Sequence, residues 1–337
     1  MRSIHLTRPA PIETEPLELV DVPVAEPDSG EVLVKVLACG ACHTDLHQVE
    51  GELPPIKLPV VPGHQIVGIV GKTGDGVTRF KVGDRVGAAW LAWTCGECDY
   101  CKRDLENLCE NAKFTGYSVD GGYAEYTTVA ADFVYPAPEG VSAVETAPLL
   151  CGGIIGYRAL RLSTIQPGQR LGMYGFGNSA HVAIQVANHW GCEVYVFSRG
   201  ERHRELAEEL GAVWTGRPYD DVPPKKLHAS VVFAPAGELV PVALEHIDKG
   251  GTVALAGIYM TPMPELDYEE HLYYEKNLRS VANSARRDGE ELLALAAEIP
   301  IKTTVETFPL EEVNRVLRMM KEGRLEAGAV FDIAGEE

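Results

Sequence analysis

Four cysteines, Cys95, Cys98, Cys101 and Cys109, fall within one short stretch in the pattern C-x2-C-x2-C-x7-C. Thiolates at that spacing can close a tetrahedron around one Zn²⁺ and leave no coordination position open, which is the chemistry of a structural site. A second set is spread more widely, with Cys42 and His64 before the cluster and Cys151 after it. Two thiolates and an imidazole, with a fourth position free for water or substrate, make the other kind of zinc site, one that performs catalysis. On residue type alone Cys151 stays open: in Pro148-Leu149-Leu150-Cys151-Gly152-Gly153 a core thiol is as good a reading as a ligand. A third group is the run Gly175-Phe176-Gly177-Asn178-Ser179-Ala180. In this G-x-G-x-x-A, Gly175 allows a tight turn and Gly177 lets the backbone approach a pyrophosphate. Ala180 keeps the next helix close to its sheet, and that helix offers its N-terminus to the anion. By itself such a turn also occurs as an ordinary strand–helix connection.

The elements that must hold these groups change in texture along the chain. Up to about residue 150, short β-type runs such as Glu31–Leu37, Gln65–Val70 and Arg85–Ala89 are separated by Gly/Pro turns, which predicts a β-rich, barrel-like region. Beyond it, strands are expected at Arg170–Tyr174, Glu193–Phe197, Ala212–Trp214, Ala229–Ala234, Thr252–Ala256 and Leu278–Asn283. Helices such as Asn178–Trp190 and Arg202–Leu210 lie between them. Six strands alternating with helices predict a doubly wound parallel sheet, the setting in which the glycine turn binds a dinucleotide. A helix Glu311–Lys321 and a strand Ala329–Ile333 are expected to return to the first region.

The end of the second of these strands selects the cofactor. A carboxylate there would bind the adenosine ribose of NAD. Here Val194-Tyr195-Val196-Phe197 is followed by Ser198-Arg199, a hydroxyl and a guanidinium suited to a 2′-phosphate. This favours NADP over NAD; the competing reading of Arg199 is a solvated loop charge.

At 337 residues the chain is longer than one core usually supports, so two domains are expected. Its 45% apolar and 23% charged composition is that of an ordinary globular protein. No apolar run is long enough to span a membrane, and Met1-Arg2-Ser3-Ile4-His5 leads into no apolar signal core. Cytoplasmic location is therefore expected, where clustered thiols serve as metal ligands rather than disulfides. A net charge of −19 and the lack of a basic patch oppose a zinc-stabilised nucleic-acid-binding module. Cys39 and Cys192 read as buried thiols. Trp90, Trp93 and Phe114 read as pocket lining or as core, and Glu97, Asp99, Asp104 and Glu106 as solvated charge.

The order and separations of Cys42-His43-Thr44-Asp45-Leu46-His47, Gly63-His64, the four-cysteine loop, Cys151 and the nucleotide turn are highly specific together. Over essentially its full length the chain resembles a zinc-dependent alcohol dehydrogenase of the medium-chain dehydrogenase/reductase superfamily. The resemblance implies an α/β protein with a GroES-like β-rich catalytic domain, residues 1–151 with 286–337, and a Rossmann nucleotide-binding domain, residues 152–285. It implies two zinc ions per subunit, a catalytic one on Cys42, His64 and Cys151 between the domains and a structural one on the four-cysteine loop. The expected reaction is reversible hydride transfer between an alcohol and NAD(P)⁺, giving an aldehyde or ketone. Thr44 would take the alcohol proton by hydrogen bonding and His47 would pass it to solvent through the cofactor ribose, although alone His47 reads as a surface histidine. Asp45 would fix the tautomer of His64. His43, Gly175, Phe176, Gly177, Asn178, Ser198 and Arg199 would contact the cofactor. A homodimer or homotetramer acting on a small alcohol or carbonyl compound is implied, with no nucleic-acid or membrane partner. Alternatives are a polyol or aryl-alcohol dehydrogenase, or a cofactor-binding protein with lost catalysis that lacks the open zinc. Two positions depart from the family pattern. Gln65 stands where glutamate is usual after His64, and Gly328 stands where an arginine commonly contacts cofactor phosphate.

Overall fold

A computed structural model describes all residues except 326 and 335–337. Contacts divide the chain into two units, Met1–Cys151 with Ser284–Glu337, and Gly152–Asn283.

The first unit is organised by a seven-stranded sheet. Its central strand, Glu31–Gly40, pairs antiparallel with Gln65–Thr73, Tyr126–Ala130 and Gly328–Asp332. Val32, Leu33, Val34, Val36, Ala38 and Cys39 are all buried and only Lys35 is exposed, the burial of a strand at the centre of its sheet. The chain terminus supplies the strand Gly328–Asp332, in register with Ala38–Gly40, and so braces the segment that leads to Cys42. Helix Val313–Lys321 buries Val313, Val316 and Leu317 in the same apolar cluster as Leu46 and Val49 of helix His43–Glu50. The expected helix from Glu311 thus begins at Val313, after a 3₁₀ turn over Leu310–Glu312.

The second unit carries six parallel strands in spatial order Trp214–Gly216, Glu193–Phe197, Arg170–Tyr174, Leu227–Val232, Ile247–Leu255 and Asn277–Ser280. In chain order this is 3-2-1-4-5-6, the doubly wound arrangement that makes a ligand crevice at the carboxyl ends of the strands. Four of the six strands differ from expectation in their bounds, among them the fifth, expected from Thr252 and found from Ile247. Ala212 still caps the preceding helix, its N–H bonded to Ala207 O, so that strand starts at Trp214. The N–H groups of Phe233 and Ala234 both turn onto Tyr174 O and end the fourth strand at Val232. Asn283 has φ of 57°, and the sixth strand stops earlier, at Ser280. Among the described residues no helix is long and apolar enough to cross a membrane.

Candidate metal centres and nucleotide turn

Cys42 ends an extended stretch and caps the N-terminus of helix His43–Glu50, where the Thr44 N–H donates to its Sγ at 3.4 Å. A thiolate is favoured there by the positive end of the helix dipole. Asp45, in the first turn and 1% exposed, accepts the Cys42 N–H at 2.9 Å through Oδ2. Its Oδ1 accepts the Gly63 N–H at 3.3 Å and faces His64 Nδ1 at 3.2 Å. One carboxylate therefore holds two donor residues from separate segments and directs Nε2 of His64 to the cysteines. Gly63 has φ of 91°, and a Cβ there would lie 2.4 Å from the Tyr123 ring, so only glycine brings His64 into place. Cys151 arrives at the end of the turn Ala147–Leu150, whose Leu149 and Leu150 are buried.

Cys42 Sγ lies 3.4 Å from His64 Nε2 and 4.0 Å from Cys151 Sγ. With Zn–S near 2.3 Å, tetrahedral geometry requires donor separations of about 3.8 Å, so the three side chains fit one zinc with one position to spare. Electrostatics agree. The Cys151 thiol hydrogen bond and the His64 charge, working against burial, hold the Cys42 thiol well below its usual value. The same hydrogen bond, together with burial, pushes Cys151 well up. Burial disfavours a charged His64, but Asp45 and Cys42 outweigh it and raise the imidazole well above its ordinary value. An electron-rich pair of sulfurs beside an oriented imidazole is a donor set that a soft divalent cation completes.

In the four-cysteine loop, Cys95 Sγ is 4.0 Å from Cys101 Sγ and 3.5 Å from Cys109 Sγ, and all four sulfurs lie within 4.8 Å of one another. This fits a closed tetrahedral site. Backbone N–H groups of Glu97 and Cys98 lower the Cys95 thiol to about 6, while burial, above all, raises Cys101 to about 12. Glu97, Asp99 and Asp104 are exposed, in line with the solvated reading. Glu106 is not: its side chain is only 12% exposed and pairs with Arg286 at 2.7 Å.

Thr44 and His47 are both part-exposed, on the helix that Cys42 caps, and His43 is exposed at its first position. His47 Nδ1 contacts the Glu52 carboxylate, a partner the sequence reading missed; its signal was a glycine at 51, which lets the chain turn back. Trp90 meets the His64 ring edge-on at 5.1 Å between centroids and stacks on Phe114 at 5.2 Å and Tyr117 at 5.8 Å. Trp93 belongs to no such wall; it is 38% exposed beneath Lys113. Cys39 and Cys192 are buried thiols. Gln65 is 4% exposed and stands opposite Gly40, where an added Cβ would lie 2.6 Å from its Oε1. Gly328 opens the last strand, its N–H bonded to Thr304 O.

In the second unit Gly175 turns with φ of 88°, and a Cβ there would meet the Ala234 backbone N at 2.9 Å. Phe176 buries its side chain, so its backbone forms the turn. Gly177 and Asn178 are exposed, nothing stands within 4 Å of a Cβ at 177, and no side chain caps helix Asn178–His189. The first N–H groups of that helix are thus available to an anion. Ser198 is buried with Oγ 3.4 Å from His203 Nδ1, and Arg199 is exposed. Arg204 Nη1 donates to the carbonyls of Ser198 and Arg199 at 2.8 and 3.0 Å, fixing the strand end.

Comparison with known proteins agrees with this geometry. Residues 28–139 match the alcohol dehydrogenase GroES-like domain and residues 180–298 the zinc-binding dehydrogenase domain. The chain is 47% identical over 336 residues to a probable alcohol dehydrogenase AdhA of Mycobacterium tuberculosis, covering 98% of this chain and 97% of that one. It is 40% identical over 327 residues to an alcohol dehydrogenase of Geobacillus stearothermophilus, covering 95% and 97%. Among solved structures, a cinnamyl alcohol dehydrogenase of Sorghum bicolor superposes with a TM-score of 0.87 at 27% identity, over 100% of this chain and 98% of that one.

Proposed function

The chain belongs to the zinc-dependent alcohol dehydrogenases of the medium-chain dehydrogenase/reductase superfamily, and we propose that Cys42, His64 and Cys151 form its catalytic centre. The observation that carries this is the convergence of three donor atoms under one carboxylate, Asp45. Zinc held there supplies Lewis acidity, which makes an alcohol hydroxyl easier to ionise. Asp45 keeps His64 in the tautomer that presents Nε2. Thr44 accepts the hydroxyl proton through its Oγ1, and His47 hands it to solvent. The Gly175–Asn178 turn would hold the cofactor pyrophosphate, His43 would contact cofactor phosphate, and the nicotinamide would supply the hydride acceptor. Carbonyl product, reduced cofactor and one proton balance the step. Cys95, Cys98, Cys101 and Cys109 hold a second, structural zinc, giving two per subunit.

Ser198 and Arg199 make NADP the favoured cofactor, because neither can mimic the carboxylate that a ribose diol requires. The enzyme is cytoplasmic, as cysteines clustered to hold metal suit a reducing compartment. A homodimer or homotetramer is the assembly that the family likeness suggests, and light scattering would report it.

One observation favours a narrower substrate class. Trp90, edge-on to His64 and stacked with Phe114 and Tyr117, puts aromatic side chains beside the three-donor centre, which suits an aryl alcohol. The test is kcat/KM for ethanol and for benzyl alcohol, each with NADP⁺ and with NAD⁺. Preference for NADP⁺ and for benzyl alcohol supports both assignments; preference for NAD⁺ rejects the use of Arg199, preference for ethanol rejects the aryl class, and no turnover with either counts against the catalytic centre.

A further inference from the structure

We propose that Glu52 is the positioning residue of the proton path through His47: its carboxylate engages Nδ1 and leaves Nε2 to take up the proton. This rests on the relay role given to His47 above.

The local fold builds the pair. Helix His43–Glu50 stops at Gly51, which has φ of 81° and donates its N–H to Gln48 O. Leu53 N–H then returns to His47 O at 3.1 Å, a left-handed turn that swings Glu52 alongside the imidazole. Glu50, the nearer acid in sequence, is committed elsewhere, to the Ile12 N–H at 3.0 Å and Lys321 Nζ at 2.8 Å. Lys321, from the helix packed on this one, is held by Glu13 and Glu50 and does not compete for Glu52. The other ring nearby, His43, has its centroid 6.3 Å away.

Exposure separates positioning from stability. The side chains of His47 and Glu52 are 36% and 63% exposed, and pairs so open to water contribute little to folding. The same openness suits the solvent end of a proton path. A carboxylate on Nδ1 selects the Nδ1–H tautomer, as it does for buried and ligating histidines. Nε2 then carries the lone pair. The proton that leaves the alcohol hydroxyl is taken up at Nε2 while the Nδ1–H keeps its bond to the Glu52 carboxylate, and one proton passes to bulk water. The hydride leaves separately to the nicotinamide, so the path needs no further reactant.

The test uses the full-length zinc-loaded enzyme with ¹⁵N-labelled histidine, as wild type and as His47→Gln, Glu52→Ala and Glu52→Gln. Imidazole nitrogen shifts read the tautomer, and benzyl alcohol oxidation reads the rate. The wild type should show the neutral His47 ring protonated at Nδ1. Glu52→Ala should lose that preference and lower kcat/KM roughly threefold to tenfold, a fraction of a full acid–base contribution, with melting unchanged. Glu52→Gln, whose amide oxygen still accepts the Nδ1–H, should restore most of both. A wild-type ring protonated at Nε2, or a ring that Glu52→Ala leaves unchanged, overturns the proposal. If His47→Gln is slow and Glu52→Ala is not, Glu52 alone is excluded. Full activity in His47→Gln instead overturns the relay on which the inference stands.

Discussion

Arg286 and Glu106, 180 residues apart in the chain, form a two-pronged ion pair: Nε and Nη2 of the guanidinium donate to one carboxylate oxygen at 2.9 and 2.7 Å. The backbone N–H of Arg286 meets the other oxygen at 2.7 Å, and the guanidinium lies 4.6 Å from the centre of the Phe133 ring. The pair fastens the turn between the third and fourth cysteines to the first residue of helix Arg286–Glu298. Arg286→Ala should cost about 1–3 kcal/mol in urea unfolding, since it strands a mostly buried carboxylate. Glu106→Ala should cost less, because Arg286 is 36% exposed and can turn to water.

The two metal centres should separate by mutation. Cys42→Ala is expected to abolish turnover while the fold and one zinc per subunit remain. Cys98→Ala should lower the melting temperature and the metal content, because a closed zinc site contributes directly to folding free energy. Metal analysis beside thermal melts checks both, and full activity in Cys42→Ala would rule out that residue as a catalytic ligand.

Asp45→Asn tests the orienting carboxylate. Its two oxygens serve the N–H groups of Cys42 and Gly63 and the Nδ1 of His64; an amide presents one of them with an NH₂ group instead. Metal affinity at the three-donor centre should fall roughly 10- to 100-fold. Titration with a competing chelator should show this loss with the four-cysteine zinc unchanged.

Gly175→Ala should fail for two reasons at once, a φ of 88° and a contact of 2.9 Å with the Ala234 backbone. A loss of about 1–3 kcal/mol is expected from the strained backbone, with weaker binding of both NADP⁺ and NAD⁺ by calorimetry.

Acid should act in part through Glu125. The Arg2 backbone N–H, at 2.8 Å, and then its guanidinium hold this carboxyl below its usual value of 4.5. A group depressed in the folded state contributes stability above its unfolded value and loses it as pH falls through the folded one. Glu125→Gln should therefore lower the melting temperature at pH 7 and narrow its gap from wild type as pH drops below 4.5. A constant gap across that range would exclude the linkage.

Much of this protein was legible in its sequence for specific reasons. Metal chemistry admits few residue types, so the spacing of Cys95, Cys98, Cys101 and Cys109 announces a closed site before any fold is known. The glycine turn is similarly constrained, since Gly175 alone tolerates both its φ and its contact with Ala234. Strand bounds were less legible: Ala212 and Asn283 have the composition of strand ends, but a helix cap claims one and a left-handed backbone the other.

The sequence by itself announced the four-cysteine cluster and the alternating strands and helices of the parallel sheet, because these follow from residue identity and period along the chain, and its motifs in their order carried the likeness to the family. Only the tertiary structure decided the partners of the charges. Glu97, Asp99, Asp104 and Glu106 look alike in sequence, and a residue 180 positions away makes one of them an anchor. Trp90 and Trp93, three residues apart, likewise part company, one against His64 and the other part-exposed beneath Lys113. The energy of a charge or an aromatic ring depends on what surrounds it, and that surrounding exists only once distant segments have packed together.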